Sequence, residues 1–194
     1  TELKNARFVL TDTNMLMNLG EPGDIRFFGE RMKGYLEKND QQLLFCKSCV
    51  LELQKHARGN DLEKAQKAAC GLRFVIDLYS RGYLAVYEDG GSVDRLRDEG
   101  FADPFTKDAA LALFQHGNVL VITNDDDLAW DLLSQCSQKS HHYLHVAAVS
   151  RYGWLKKPKA FYKLHEYKKW CAEQEKLREN EQKKCESGGN LNEL

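Results

Sequence analysis

What this 194-residue chain lacks sets the first limits on it. No stretch approaches the roughly 18 consecutive apolar residues that a membrane-spanning helix needs, so no membrane role is expected. The opening TELKNARFVL lacks the charged head, apolar core and small-residue cleavage site of a secretory leader. It begins with Thr1 rather than Met, which fits a processed chain or a fragment, so a lost leader stays open. Of the cysteines Cys46, Cys49, Cys70, Cys136, Cys171 and Cys185, only Cys46 and Cys49 form a C-x-x-C pair. With no second pair to complete a zinc site, these thiols read as structural and reduced, in a cytoplasmic protein. His141, His142 and His145 cluster in HHYLH, but no acid or cysteine stands with them at metal-site spacing, and strand alternation separates neighbours. His56, His116 and His165 carry no readable role. No internal repeat is found.

What is present fits one well-cored domain with an appendage: 42% hydrophobic and 29% charged residues. The net charge of −1 hides an uneven distribution. Between Leu155 and Cys185 stand ten Lys/Arg against five Glu, which leaves the rest of the chain acidic. Such a basic end suits a phosphate backbone; it also suits a solvated helix face.

Short apolar runs alternate with helical periodicity. Phe8–Leu10, QLLFC at 42–46, YLAVYE at 83–88, 119–123 and YLHVAAV at 143–149 read as strands. Between them, Ile25, Phe28, Met32, Tyr35 and Leu36 recur at helical spacing. Ser48 suits an N-cap for a helix that Gly59 ends, and Asn60 with Glu63 has capping-box spacing for a helix that Gly82 stops. Residues 92–100 are charged, Pro104 is placed to begin a helix, and another helix starts near Asp126. This alternation predicts a three-layer α/β/α sandwich on a mostly parallel sheet over 1–155, a basic helical extension over 156–186, and a disordered tail over 187–194.

In such sheets functional groups gather beyond the carboxyl ends of the strands. Asp12 follows the first strand, Glu52 falls on the first turn after the second, Asp108 opens a helix before the fourth, and Asp125 and Asp127 follow that strand. Each alone has a plain structural role: Asx-turn, surface acid, dipole-favoured first-turn residue, or cap. Asp103, before Pro104, reads more as a cap than as a ligand. Jointly, carboxylates from four segments at one sheet edge repel one another unless a cation offsets them. Mg²⁺ and Mn²⁺ prefer such oxygen ligands and promote phosphoryl chemistry.

These residues resemble the PIN-domain nucleases in LTDTNML around Asp12, SCVLEL around Glu52, KDAALALFQHG around Asp108 and ITNDDDL around Asp125 and Asp127, spread over residues 8–150. The resemblance implies a PIN-like fold and an endoribonuclease that hydrolyses single-stranded RNA with one or two Mg²⁺ or Mn²⁺ ions. Asp12, Glu52, Asp108 and Asp125 would be catalytic and metal-binding, with Asp127 a supporting ligand. Asp108 is favoured as the third acid, with Asp103 the alternative in ADPF, and Asp126 stays a cap or solvent-facing residue. Asn14 and Thr123 would orient the acids or meet the scissile phosphate. Lys156 and Lys157, with Lys159, Lys163, Lys168 and Lys169 and the interleaved Tyr162, Tyr167 and Trp170, would guide RNA, unless the aromatics dock the helix instead. Products would carry 5′-phosphate and 3′-hydroxyl ends. The longer stretch 60–100 and the lysine-rich helix depart from small toxin-type members, which leaves toxin, RNA-processing and defence roles open, as well as an antitoxin or inhibitor partner and a homodimer. Rival readings are a catalytically silent RNA-binding or scaffold module and an aspartyl-nucleophile phosphatase; Asn14, where the latter wants a second acid, speaks against it.

Overall fold

A computed structural model describes residues 5–17, 22–90, 101–135 and 142–188. The charged segment 92–100, His141, Cys136 and residues 189–194 of the expected tail lie outside them. The elements run β1 (Phe8–Thr11), α1 (Thr13–Met17), α2 (Pro22–Asn39), β2 (Leu43–Cys46), α3 (Lys47–Ala57), α4 (Leu62–Ser80), β3 (Leu84–Tyr87), α5 (Asp103–Phe114), β4 (Val119–Ile122), α6 (Asp126–Gln135), β5 (Leu144–Val149), β6 (Leu155–Lys156) and α7 (Lys159–Gly188).

The sheet has six strands in the order β3-β2-β1-β4-β5-β6. The first five run parallel, and β6 pairs antiparallel with β5. Helices flank the sheet, giving the expected three-layer α/β/α sandwich. Every residue of β4 is buried, as a central parallel strand covered on both faces demands. Leu10, Leu43, Phe45, Leu120 and Ile122 are fully buried between the layers. α4 packs against α1, α2 and α3, and α6 against α5 and α7. Gly71 lets α4 come close: a Cβ there would stand 3.3 Å from Leu16 and from Leu53.

Register fixes which loops share an edge. Thr11 pairs with Phe45 and Ile122, Cys46 with Tyr87, and Ile122 with Ala147, so these strands end level. The order in which successive strands are added reverses at β1, with β2 and β3 to one side of it and β4 and β5 to the other, all parallel. That is the topological switch point, where such sheets open a crevice beyond their carboxyl ends.

Several local expectations shift by a residue or a partner. Ser48 does not cap α3; the helix starts at Lys47 after Cys46, with no side-chain cap there. Asp89, just past β3, accepts from Ser48 N at 3.2 Å and from the Ser48 hydroxyl, so the cap comes from a neighbouring strand end. α4 is capped by Asp61, which accepts from Lys64 N at 3.1 Å, rather than by Asn60. Gly82, at φ 77°, closes α4 as expected, with Tyr83 N donating to Leu78 O (2.9 Å) and Gly82 N to Tyr79 O (3.0 Å). The TDTN loop contains the short α1 and β6 adds an edge strand; neither was expected. Ser187 and Gly188 belong to α7. Among the described residues no helix is long and apolar enough to cross a membrane.

Candidate acidic site at the carboxyl edge of the sheet

Asp12 and Thr123 bridge the switch point. Asp12 leaves β1 with 1% of its surface exposed, and Thr123 leaves β4 fully buried. The Thr123 hydroxyl donates to Asp12 Oδ2 at 2.5 Å and accepts from Asp125 N at 2.9 Å. Met15 N donates to Asp12 Oδ1 at 2.9 Å, so the first turn of α1 holds the other oxygen. Burial pushes the Asp12 carboxyl up to about 7; the two hydrogen bonds oppose this, and the charges of Asp103 and Asp125 add to it.

Asp125 both caps a helix and faces the other acids. Its Oδ1 accepts from Asp127 N and Leu128 N, each at 2.8 Å, which satisfies the opening N–H groups of α6. Its Oδ2 accepts from Asn14 Nδ2 at 2.8 Å, a link from α1 to the loop after β4. The cap expected of Asp126 therefore belongs to Asp125, and Asp126 lies in the first turn of α6. Oδ1 is fully used by those two bonds, while Oδ2 keeps a second lone pair, so Asp125 is not exhausted as a ligand.

The third acid at this edge is Asp103. It occupies the first turn of α5, and burial pushes its carboxyl up to about 6, with the charges of Asp125, Glu52 and Asp127 adding to the rise. Asp108, favoured from sequence, is exposed, and its charge is not among those acting on Asp12 or Asp103. Helix geometry accounts for this: five residues at about 100° each turn Asp108 some 140° away from Asp103. Asp103, not Asp108, therefore stands with the other acids. Glu52 lies on the buried face of α3, on its second turn rather than its first, with Oε1 3.7 Å from His56 Nε2. His56, unread from sequence, is drawn below the ordinary imidazole range by burial first and by Lys64 next. Only its spacing of four residues from Glu52 on one helix could have flagged it.

Two clefts meet at Asp103. One, of about 330 Å³, is lined by Thr13, Asn14, Glu52, His56, Lys64 and Phe101 among others. The second, of about 370 Å³, is lined by Lys107, Asp108, Asp127 and Asp131, and both clefts include Asp103 and Phe101. Lys107 in the second is paired to Asp131 at 2.9 Å.

Lys156 and Lys157 stand to one side of the acids. Lys156, on the edge strand β6, pairs with Ala148 of β5, three strands or about 14 Å from β1 and two strands or about 10 Å from β4. Lys157 sits over the Phe161 ring at 4.2 Å. On α7, Tyr162, Tyr167 and Trp170 are more than half exposed, while Ala160 and Leu164 are buried. Tyr167 also meets Trp130 of α6, ring centroids 6.2 Å apart, so docking falls mainly to the aliphatic residues.

The donor set is all oxygen and closely coupled in charge, which suits a hard divalent cation. Among the described residues, no group of three or more Asp, Glu, His or Cys is close enough to hold a metal ion as the side chains stand. No protein-family model and no curated protein matches this chain.

Proposed function

We propose that this protein is a Mg²⁺- or Mn²⁺-dependent endoribonuclease of the PIN-domain type, acting on single-stranded RNA. The observation that carries the reading is the meeting of Asp12, Asp103 and Asp125, with Glu52 and Asp127 beside them, at the switch point of a parallel sheet. Carboxyls raised to about 7 and 6 are costly to ionise together, and a divalent cation offsets that cost. Asp12, Asp103 and Asp125 would hold the ion, with Glu52 and Asp127 in support.

When bound, the cation supplies a lowered pKa for attacking water and charge for the phosphoryl oxygens. The chain's own residues do the positioning. Thr123 and Met15 N hold Asp12 by both oxygens, and Asn14 ties Asp125 to the same edge. In the reaction water adds to phosphorus in line, the P–O3′ bond breaks, and O3′ takes up a proton. A 5′-phosphate and a 3′-hydroxyl result, with no need for the 2′-hydroxyl.

The test is cleavage of labelled single-stranded RNA with Mn²⁺ by wild type, Asp12→Asn and Asp125→Asn. Loss in both variants, with 5′-phosphate ends in the wild-type products, is the expected result. Equal cutting by all three, or 2′,3′-cyclic phosphate ends, sinks the reading. A second reading, an RNA-binding module of this fold without catalysis, draws support from the spacing of the acids. RNA binding with no heat of Mn²⁺ binding in calorimetry would select it.

A further inference from the structure

The cleft beside Asp103 contains groups that the acidic site does not use. Thr13, which opens α1, is 5% exposed, and its hydroxyl is buried with no hydrogen-bond partner among the described residues. Buried hydroxyls are nearly always partnered, and one left alone is destabilising, so a partner at this position has to be accounted for. Thr13 lines the cleft of about 330 Å³ together with Asn14, His56, Lys64 and Phe101. Lys64 has no ion pair among the described residues, yet stands close enough to His56 for its charge to act there. Phe101 is half exposed and lines the same cleft.

The neighbouring cleft makes the comparison. Its walls carry four acids, Asp103, Asp108, Asp127 and Asp131, against Glu52 and Asp103 in the first, and its lysine is already paired, so a polyanion is repelled more strongly there. Lys64's cleft offers an uncommitted cation, an exposed ring and an unsatisfied hydroxyl. Its volume lies at the small end of ligand pockets, about 300–1,000 Å³, which suits one nucleotide rather than a length of duplex. A base can lie on Phe101 only if it is unstacked from its neighbours, as in single-stranded RNA.

We propose that the cleft lined by Thr13, Asn14, Lys64 and Phe101 is a subsite that seats the nucleotide next to the scissile phosphodiester, its base on Phe101 and its phosphate on Lys64. The assignment rests on the nuclease reading, since it is Asp103 and Glu52 that join this cleft to the acids. The Thr13 hydroxyl gains its missing partner from the bound nucleotide. This gives Thr13 an unusual signature: removing the hydroxyl helps the empty fold and harms binding.

The experiment is fluorescence anisotropy with a labelled single-stranded hexaribonucleotide on the full chain, in EDTA so that nothing is cut. Phe101→Ala weakens binding about tenfold, the size expected for one lost stacking contact. Phe101→Tyr stays within about twofold of wild type, because the ring is kept. Lys64→Ala weakens binding and lowers the logarithmic salt slope by about 0.7, one phosphate on a single strand. Lys107→Ala leaves the slope unchanged. Thr13→Val raises the melting temperature of the free protein and weakens binding, which a purely structural hydroxyl would not do. Wild-type-like affinity in both Phe101→Ala and Lys64→Ala, or no binding by wild type, overturns the subsite. If these variants bind normally while Asp12-dependent cleavage persists, the subsite falls and the nuclease reading stands. If binding follows the expected pattern but wild type cuts nothing with Mn²⁺, the nuclease reading falls, and with it the place beside a scissile bond, leaving the cleft a nucleotide-binding site alone.

Discussion

Asp12 shows how one residue's surroundings set its chemistry. Its pKa of about 7 in the fold exceeds the ordinary 3.8, so folding takes up a proton between those values. The stability this contributes is full below pH about 4 and is lost as pH rises through 7. Asp103, raised to about 6, behaves alike over a narrower window. Without divalent cation the melting temperature is therefore expected to fall between pH 4 and 7 on account of these two, then level. Asp12→Asn should flatten that slope and raise the melting temperature at pH 7.5 by several degrees, at about 2–4 °C per kcal/mol for a chain this size. A melting series across pH reads this directly, and a steeper slope in the variant would contradict it. Asp103→Asn should cut Mn²⁺ affinity and RNA cleavage by about tenfold or more, since one pKa unit of interaction is about 1.4 kcal/mol. Asp108→Asn should leave both within a few-fold of wild type, because Asp108 is exposed and its charge does not act on the cluster. Calorimetry with Mn²⁺ on the two variants separates these positions.

Among the elements, the helix starts and strand ends carry the site. Asp89 serves α3 from across β2, so its removal acts on Glu52 at a distance. Asp89→Ala is expected to cost about 1 kcal/mol as a lost cap and to show faster hydrogen exchange at the start of α3. Unchanged exchange there would mean the helix holds itself. The loop after β4 is fixed in a similar way: Asn124 Oδ1 accepts from Val149 N at 2.8 Å, tying the segment that carries Thr123 and Asp125 to the end of β5. The turn after β5 thereby stays level with the acids, and Trp154 meets the Arg31 guanidinium of α2 at 3.0 Å from its ring centre.

For the whole molecule, the decisive feature is an acidic edge with a basic, aromatic helix on the same domain. If the folded arrangement alone holds a divalent cation, Mn²⁺ should raise the melting temperature, and more at pH 8 than at pH 6, because protons compete for Asp12 and Asp103 below their raised pKa values. A pH-independent shift would argue against these two as ligands. If the exposed lysines of α7 meet an RNA strand, binding should weaken steeply with salt while catalysis at saturating RNA changes little. A kinetic split between KM and kcat for paired Lys163→Ala and Lys168→Ala substitutions reads that role.

The alternation of apolar runs with helical periodicity was enough to predict the layer architecture, because a parallel sheet needs near-continuous buried strands and amphipathic crossovers. It also marked Asp12, Glu52, Asp125 and Asp127, since a strand's end and a helix's start are local events with local signals. The third acid was not legible in this way. Asp103 and Asp108 share one helix start, and only the angle at which α5 meets the sheet decides which of them faces Asp12 and Asp125. The cap from Asp89, the pairing of Glu52 with His56 and the unsatisfied Thr13 hydroxyl are likewise tertiary facts. Periodicity along a chain determines which residues are buried; the register and angle between elements determine which polar groups then meet, and no local pattern encodes that.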